Sequence, residues 1–179
     1  MENQRMTGAE LATLRQACGL TREELGAMCG GVHQRTVKHW ESGHAGVPDD
    51  VAATVAGLLG TINAVVSQWR REILDAGRPP GGLVLVRYRT PEDMARFMPA
   101  LSGYPLGVHG AMVVQLIQAL AFTPGLQDIA VRVVYMDPPA YDAWRQACQV
   151  AGSEPARSRW AAGQVQAQAL AYRPHQSDA

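Results

Sequence analysis

Residues 21–43 read TREELGAMCGGVHQRTVKHWESG, and this stretch decides the fold of the N-terminal half. It begins with Thr21 and Glu24, the spacing of a capping box in which the two side chains satisfy free backbone N–H groups at the start of a helix. Gly30-Gly31 permits the backbone angles of a tight turn. A further helix is predicted to begin near His33. The pattern therefore indicates two short helices joined by a glycine turn, a helix-turn-helix.

A second capping box, Thr7 to Glu10, predicts a helix ahead of this stretch. Gly19 is expected to end that helix. Its apolar residues have the spacing of one helix face: Leu11, Leu14 and Cys18.

The helix after the glycine turn has one apolar and one polar face. Val37 and Trp40 lie three residues apart and are predicted to face inward. The outward side chains suit a major groove, because arginine can grip guanine with two donors and glutamine can pair with adenine. Lysine and the helix N-terminus suit phosphate contacts. We therefore predict a DNA-binding face formed by His33, Gln34, Arg35, Thr36, Lys38, His39 and His44.

The charge balance places a condition on this hypothesis. Sixteen basic and sixteen acidic residues leave a formal net charge of zero, so the protein as a whole has no field that attracts DNA. Binding must depend on a local patch around Arg35 and Lys38, which only Glu41 opposes within the helix. A dimer would double that patch.

Residues 7–60 resemble the repressor-type helix-turn-helix family. More narrowly, the runs VHQRTVKHWESG (32–43) and VPDDV (47–51) resemble the anti-CRISPR-associated (Aca) repressors and their bacterial homologues. The spacing of residues 105–125, PLGVHGAMVVQLIQALAFTPG, is similar to the C-terminal helix pattern of that group. The likeness becomes faint after Leu126.

The resemblance implies a dimeric repressor that binds an inverted repeat and autoregulates its own operon, of anti-CRISPR or other mobile-element genes. By position, the base-reading residues of the family fall on Gln34, Arg35 and His39. Arg15 and Glu41 occupy the places of a family ion pair that links the first helix to the recognition helix.

After the loop at residues 44–47, Pro48 predicts the first turn of another helix. Gly57 and Gly60 are expected to divide the following segment into two helices, the second ending at Ala76. The apolar residues of this segment have heptad-like spacing: Val51, Val55, Leu58, Ile62, Val65 and Trp69. Such spacing is typical of a dimer seam, but it extends over fewer than three heptads, which is too short to identify a coiled coil. Packing of the segment within its own domain is therefore an equal alternative.

Composition changes at the glycine- and proline-rich residues 77–82, which we interpret as a linker. The predicted fold is mainly α with a small α+β C-terminal part. Residues 1–76 form a helix-turn-helix bundle of four to five helices, residues 83–172 a dimerisation domain, and residues 173–179 a disordered tail. That domain is predicted to contain strands at 83–88 and 129–136 and helices at 91–98, 108–122, 138–150 and 155–171.

No motif supports catalysis. Residues 136–141, MDPPAY, follow a predicted strand as the Asp-Pro-Pro-aromatic motif of amino-methyltransferases does, but Ala140 stands where the aromatic residue should be. A strand end followed by a proline helix start explains the run better. His33, His39 and His44 with Cys29 lack the paired spacings of zinc domains. We therefore predict a protein that is not an enzyme, with no catalytic residue, cofactor or metal.

Three cysteines without CxxC spacing argue against a disulfide framework and favour a reducing compartment. We expect Cys18 and Cys29 to be buried as small apolar residues. The chain opens without the features of a signal peptide, and its apolar stretches are expected to be too interrupted for a membrane span. The expected location is the cytoplasm.

Two functions follow from these features. The first is a homodimeric repressor that binds double-stranded DNA. The second is an antitoxin-like or other protein-interaction module that retains a helix-turn-helix fold. The exposed polar face favours the first, because a module without a role on DNA has no need for it. The sequence leaves open whether RNA or an effector is also bound.

Overall fold

The computed structural model describes residues 5–78 and 81–171. It confirms a mainly α fold with a small two-stranded sheet. The N-terminal half contains helices α1 (Gly8–Ala17), α2 (Arg22–Met28), α3 (Gln34–Glu41) and α4 (Asp49–Ala76). The C-terminal half contains β1 (Leu83–Arg87), α5 (Pro91–Phe97), a 3-10 turn (Pro99–Leu101), α6 (Leu106–Ala121), β2 (Val131–Tyr135), α7 (Pro138–Cys148) and α8 (Glu154–Ala171).

Both predicted capping boxes are present at the starts of α1 and α2. The backbone N–H of Glu10 donates to the Thr7 hydroxyl at 3.2 Å, and the Thr7 N–H donates to the Glu10 carboxylate at 2.7 Å. Thr21 and Glu24 repeat the arrangement at 3.1 and 2.7 Å. These contacts fix where each short helix begins, since the first N–H groups of a helix have no partner within it.

The predicted division of the segment after Pro48 is wrong, because α4 is one helix of 28 residues. Gly57 and Gly60 lie within it, and a Cβ at either position would meet no neighbouring atom. A glycine inside a helix costs about 1 kcal/mol relative to alanine. Burial of the residues around these glycines, Val55, Leu58 and Ile62, outweighs that cost.

The apolar face of α4 packs inside the chain. Its buried residues are Val51, Val55, Leu58, Ile62 and Val66. Val65 and Trp69, which were predicted to lie on this face, are only half-buried, and Val66 is buried in place of Val65. The change follows from the spacing of a straight helix, in which four-residue steps keep residues on one face. Of the two alternatives for this segment, the structure therefore supports packing within the protein.

The expectation that the apolar stretches are too interrupted for a membrane span is wrong for α4. By length and composition alone this helix could cross a membrane, and 28% of its most apolar stretch is buried inside the protein. Core helices of soluble proteins pass the same test. We interpret α4 as a core helix because α1 and α6 pack against it.

The six elements predicted for the C-terminal half are confirmed, with ends that differ by one or two residues. The short turn Pro99–Leu101 was not predicted. Strands β1 and β2 pair in parallel, with Leu83 opposite Val131 and Arg87 opposite Tyr135. Parallel neighbours need a long crossover, which α5 and α6 provide. The sheet lies against α6 and α8.

The two halves meet along α6. Gly19 and Gly107 approach so closely that a Cβ on Gly107 would lie 1.9 Å from the Gly19 carbonyl oxygen. The side-chain amide of Gln115 donates to the Ala17 carbonyl at 3.2 Å. Buried residues of both halves form one continuous apolar cluster. Residues 79 and 80 of the predicted linker and the predicted tail at 173–179 lie outside the described residues, and the division into domains stays a prediction.

Candidate nucleic-acid interface

Glycine is required in and beside the turn between α2 and α3 for two reasons, backbone conformation and close packing. Gly30 and Gly31 have φ values of 81° and 80°, in the left-handed region that favours glycine. Gly26 lies inside α2, where a Cβ would be 1.9 Å from the Val32 carbonyl oxygen. The Val32 N–H also donates to the Gly26 carbonyl at 2.8 Å. The sequence analysis did not predict that residue 26 must be glycine, although a glycine inside a helix is a signal for close packing.

The inward face of α3 is as predicted. Val37 is fully buried and Trp40 is 8% exposed. The start of α1 lies against the end of α3, since a Cβ on Gly8 would be 2.2 Å from the Trp40 carbonyl oxygen. Side chains on the opposite face of α3 must therefore project away from the protein.

All seven residues predicted to bind DNA are exposed. Four of them stand on the outer side of α3, one before it and one after it, and Thr36 completes the first turn. The structure thus brings His33, Gln34, Arg35, Thr36, Lys38, His39 and His44 to one helix and its two ends.

Three of the histidines shape the ends of α3. His33 is the N-cap, and its Nδ1 accepts a hydrogen bond from the Arg35 backbone N–H at 3.2 Å. The ring of His44 lies 5.8 Å from that of His39, and its Nδ1 is 2.7 Å from the Ser42 hydroxyl. The capping role of His33 and the part of Ser42 were not anticipated from sequence.

An ion-pair network holds α3 against α1 and α2. Arg15 Nε donates to Glu41 at 2.5 Å, as the family resemblance implied, and Arg22 Nε donates to the other carboxylate oxygen at 2.6 Å. The Glu41 side chain is 4% exposed and that of Arg15 is 8% exposed. Arg15 also donates to the Leu20 carbonyl at 2.5 Å. The contribution of Arg22 was missed, because no helical spacing connects residues 19 positions apart.

The network also removes the charge that was expected to oppose the patch. Burial raises the pKa of Glu41, but hydrogen bonds and charge from Arg15 and Arg22 outweigh burial, so the pKa lies below its ordinary value. The carboxylate is ionised and neutralised on the inner side of the helix. Arg35 and Lys38 form no ion pair with any described residue, and both are exposed to solvent.

The other chemical motifs have structural positions. Asp137 caps α7 by accepting from the Ala140 N–H at 3.0 Å, and Tyr141 is buried. All three cysteines are free: Cys18 is buried, Cys29 is half-buried and Cys148 is exposed. Burial raises the pKa of Cys18 to about 11, which makes its thiol inert near neutral pH. Within residues 5–78 and 81–171, no group of three or more histidine, cysteine or acidic residues is placed to hold a metal ion.

Two packed helices with a glycine turn, and a third-helix face left free, define a helix-turn-helix domain. Residues 11–63 match the helix-turn-helix family model, which agrees with this geometry.

The chain is also similar to the Aca2 repressor of Pectobacterium phage ZF40, with 32% identity over 74 residues. The match covers 41% of this chain and 64% of that relative. The resemblance to Aca repressors seen in the sequence is thereby confirmed.

Proposed function

We propose that this protein is a sequence-specific DNA-binding transcriptional repressor, which acts as a homodimer on an inverted repeat in the cytoplasm. The observation that carries the proposal is the two-sided character of α3. One side is buried in the core through Val37 and Trp40, and the other presents the side chains of Arg35 and Lys38 to solvent, with no ion pair to any described residue. A relative named as a repressor matches 74 residues of the chain at 32% identity.

The exposed residues have different roles in this proposal. Arg35 and Gln34, in the first turn of α3, read base edges, because that turn of a recognition helix meets the major groove. His39, one turn further, is the third reader. Lys38 contacts phosphate and fixes the register without reading sequence. His33 and His44 flank the readers at the two ends of the helix, and Thr36 lies between them, so these three residues complete the contact surface.

In this proposal the dimer contacts lie in the C-terminal half. Four of the five large apolar residues exposed among the described residues follow Gly77: Val114, Phe122, Val133 and Tyr135. Phe122 is 85% exposed, at the end of α6. A closed two-fold dimer would cover these side chains and present two copies of α3, and a two-fold protein matches a palindromic DNA site with half-sites about 34 Å apart.

Selection of bound sequences from random double-stranded DNA by the full chain tests the function. We expect enrichment of an inverted repeat, and its presence upstream of the protein's own gene would support autoregulation. Single-stranded and structured RNA serve as competitors. Failure to enrich any sequence would contradict the proposal and favour an antitoxin-like protein-interaction module.

Light scattering of surface variants tests the interface. Phe122→Glu should shift the full chain toward monomer, because a carboxylate at this position would be desolvated in the dimer. Leu74→Glu is the matched control, since Leu74 is 41% exposed but precedes Gly77. A dimer unaffected by Phe122→Glu and dissociated by Leu74→Glu would move the interface to α4.

A further inference from the structure

A cavity of about 420 Å³ lies where the end of α4 meets the C-terminal half, between α4, strand β1, helix α6 and helix α8. Its volume falls within the range of about 300–1,000 Å³ that small-molecule sites occupy. It does not touch α3, so the cavity has no part in the interface described above.

Apolar and aromatic side chains form most of the cavity wall. Trp69 comes from α4, Leu85 from β1 and Val113 from α6, with the rings of Tyr88 and Phe97 beside them. Those two rings are stacked, with centroids 6.0 Å apart and planes 8° from parallel. Flat aromatic walls favour a flat apolar occupant.

One fully buried polar atom in the wall has no hydrogen-bond partner among the described residues. This atom is Nδ1 of His109 on α6, a residue that is 3% exposed. Its ring lies 4.9 Å from the ring of Tyr88 and 6.3 Å from that of Trp69. Buried polar atoms without a partner are rare in folded proteins. A ligand that carries a hydrogen-bonding group would give this imidazole the partner that the protein does not supply.

The charges around the cavity select a neutral occupant. Burial, with a further contribution from the charge of Arg87, lowers the pKa of His109 to about 4, so the imidazole is uncharged near neutral pH. The Arg87 guanidinium lies against Gly110, next to His109, and disfavours a cation. Glu72 and Glu154 line the cavity with Arg157 as the one cation in its wall, a balance that disfavours an anion.

We propose that this cavity binds a small neutral ring compound, largely apolar, whose single hydroxyl or carbonyl group hydrogen-bonds to His109. The inference goes beyond DNA binding and does not depend on it.

Fluorescence titration of the full chain with N-phenyl-1-naphthylamine, a neutral aromatic probe, tests the site directly. Displacement by 1-naphthol and by naphthalene then measures the contribution of the hydroxyl group. The wild type should bind 1-naphthol more tightly relative to naphthalene than His109→Phe does, by roughly 3- to 10-fold, the value of one hydrogen bond. The phenylalanine variant keeps a ring in the same place.

Val113→Phe is the second variant, because it adds ring atoms inside the cavity and should lose most of the probe binding. Gln118→Phe is its matched control, since this residue of the same helix is exposed and does not line the cavity. Melting curves verify that each variant is folded. Absence of probe binding by the wild type, or equal loss in both variants, would overturn the proposal. Probe binding with no change in the naphthol-to-naphthalene ratio on His109→Phe would overturn the role of His109.

Discussion

In the N-terminal half the buried carboxylate of Glu41 receives hydrogen bonds from two guanidinium groups. In the C-terminal half the buried His109 Nδ1 and Arg87 Nε have no hydrogen-bond partner within the part of the chain that the structure describes. The first arrangement uses its polar groups to fix α3 against α1 and α2, which keeps a face of α3 in one orientation. The second leaves hydrogen-bonding capacity unused beside a cavity. A network whose polar groups are all hydrogen-bonded favours a rigid surface. Buried polar groups without a partner can instead accept a hydrogen bond from, or donate one to, a ligand.

Loss of the Trp40 indole, on the inner face of α3, should have the largest effect on stability. Trp40→Ala removes a large side chain that is 8% exposed, and we expect a loss of roughly 3–5 kcal/mol in the free energy of unfolding. Urea denaturation measures it. Trp144→Ala is the control, because Trp144 is only half-buried and should cost less. An unchanged stability for Trp40→Ala would mean that the faces of α3 are assigned wrongly.

Breaking the paired network should come next. Glu41→Ala leaves Arg15 buried without its counter-charge, and we expect a loss of about 3 kcal/mol. Because the folded pKa of Glu41 is depressed, its contribution is present above the ordinary carboxyl pKa and is lost as the pH falls through the folded value. Glu23→Ala, which removes an exposed carboxylate of α2, should have little effect. Equal stabilities of the two variants at pH 7 would contradict the account of the network.

His109 provides the corresponding test in the other half. Its folded pKa of about 4 lies below the ordinary value of 6.5, so the unfolded chain binds a proton more readily between these values. Stability is therefore complete above pH 6.5 and falls as the pH is lowered toward 4. Between pH 7.5 and pH 5 the wild type should lose roughly 2 kcal/mol more than His109→Phe. Parallel pH profiles for the two proteins would show that His109 is not buried in its neutral form.

Removal of the Lys38 charge should give the smallest effect, a modest loss of affinity for DNA. Lys38→Ala is expected to weaken binding to all DNA sequences about equally and to reduce the slope of log K against log salt by about one charge per subunit. Binding isotherms at several salt concentrations measure the slope. A change confined to one DNA sequence would make Lys38 a base reader instead.

Local chemistry made the N-terminal helices predictable. Thr7 and Thr21 mark helix starts through contacts within four residues, and the spacing of Val37 and Trp40 sets the faces of α3. In the C-terminal half, turn residues and apolar runs predicted each helix and strand to within two residues.

The rest depends on contacts between distant parts of the chain. Continuity of α4 through Gly57 is decided by packing, which outweighs the local preference. Arg22 reaches Glu41 across 19 residues, and the sheet pairs strands that are separated by two helices. The burial of His109 depends on Trp69 and Tyr88, on elements distant in sequence.

The most direct test of the central claim, that the free face of α3 reads bases, is a titration of Arg35→Ala with the selected duplex and a scrambled one. We expect the affinity for the selected duplex to fall by roughly 1–3 kcal/mol per half-site, with preference relaxed at one base pair in each. Arg35→Lys should not restore it, because lysine lacks the two-donor geometry. Arg159→Ala removes an exposed charge on α8 and should leave the ratio of the two affinities unchanged. If Arg35→Ala also leaves that ratio intact, α3 does not read DNA, and the protein-interaction module becomes the better account.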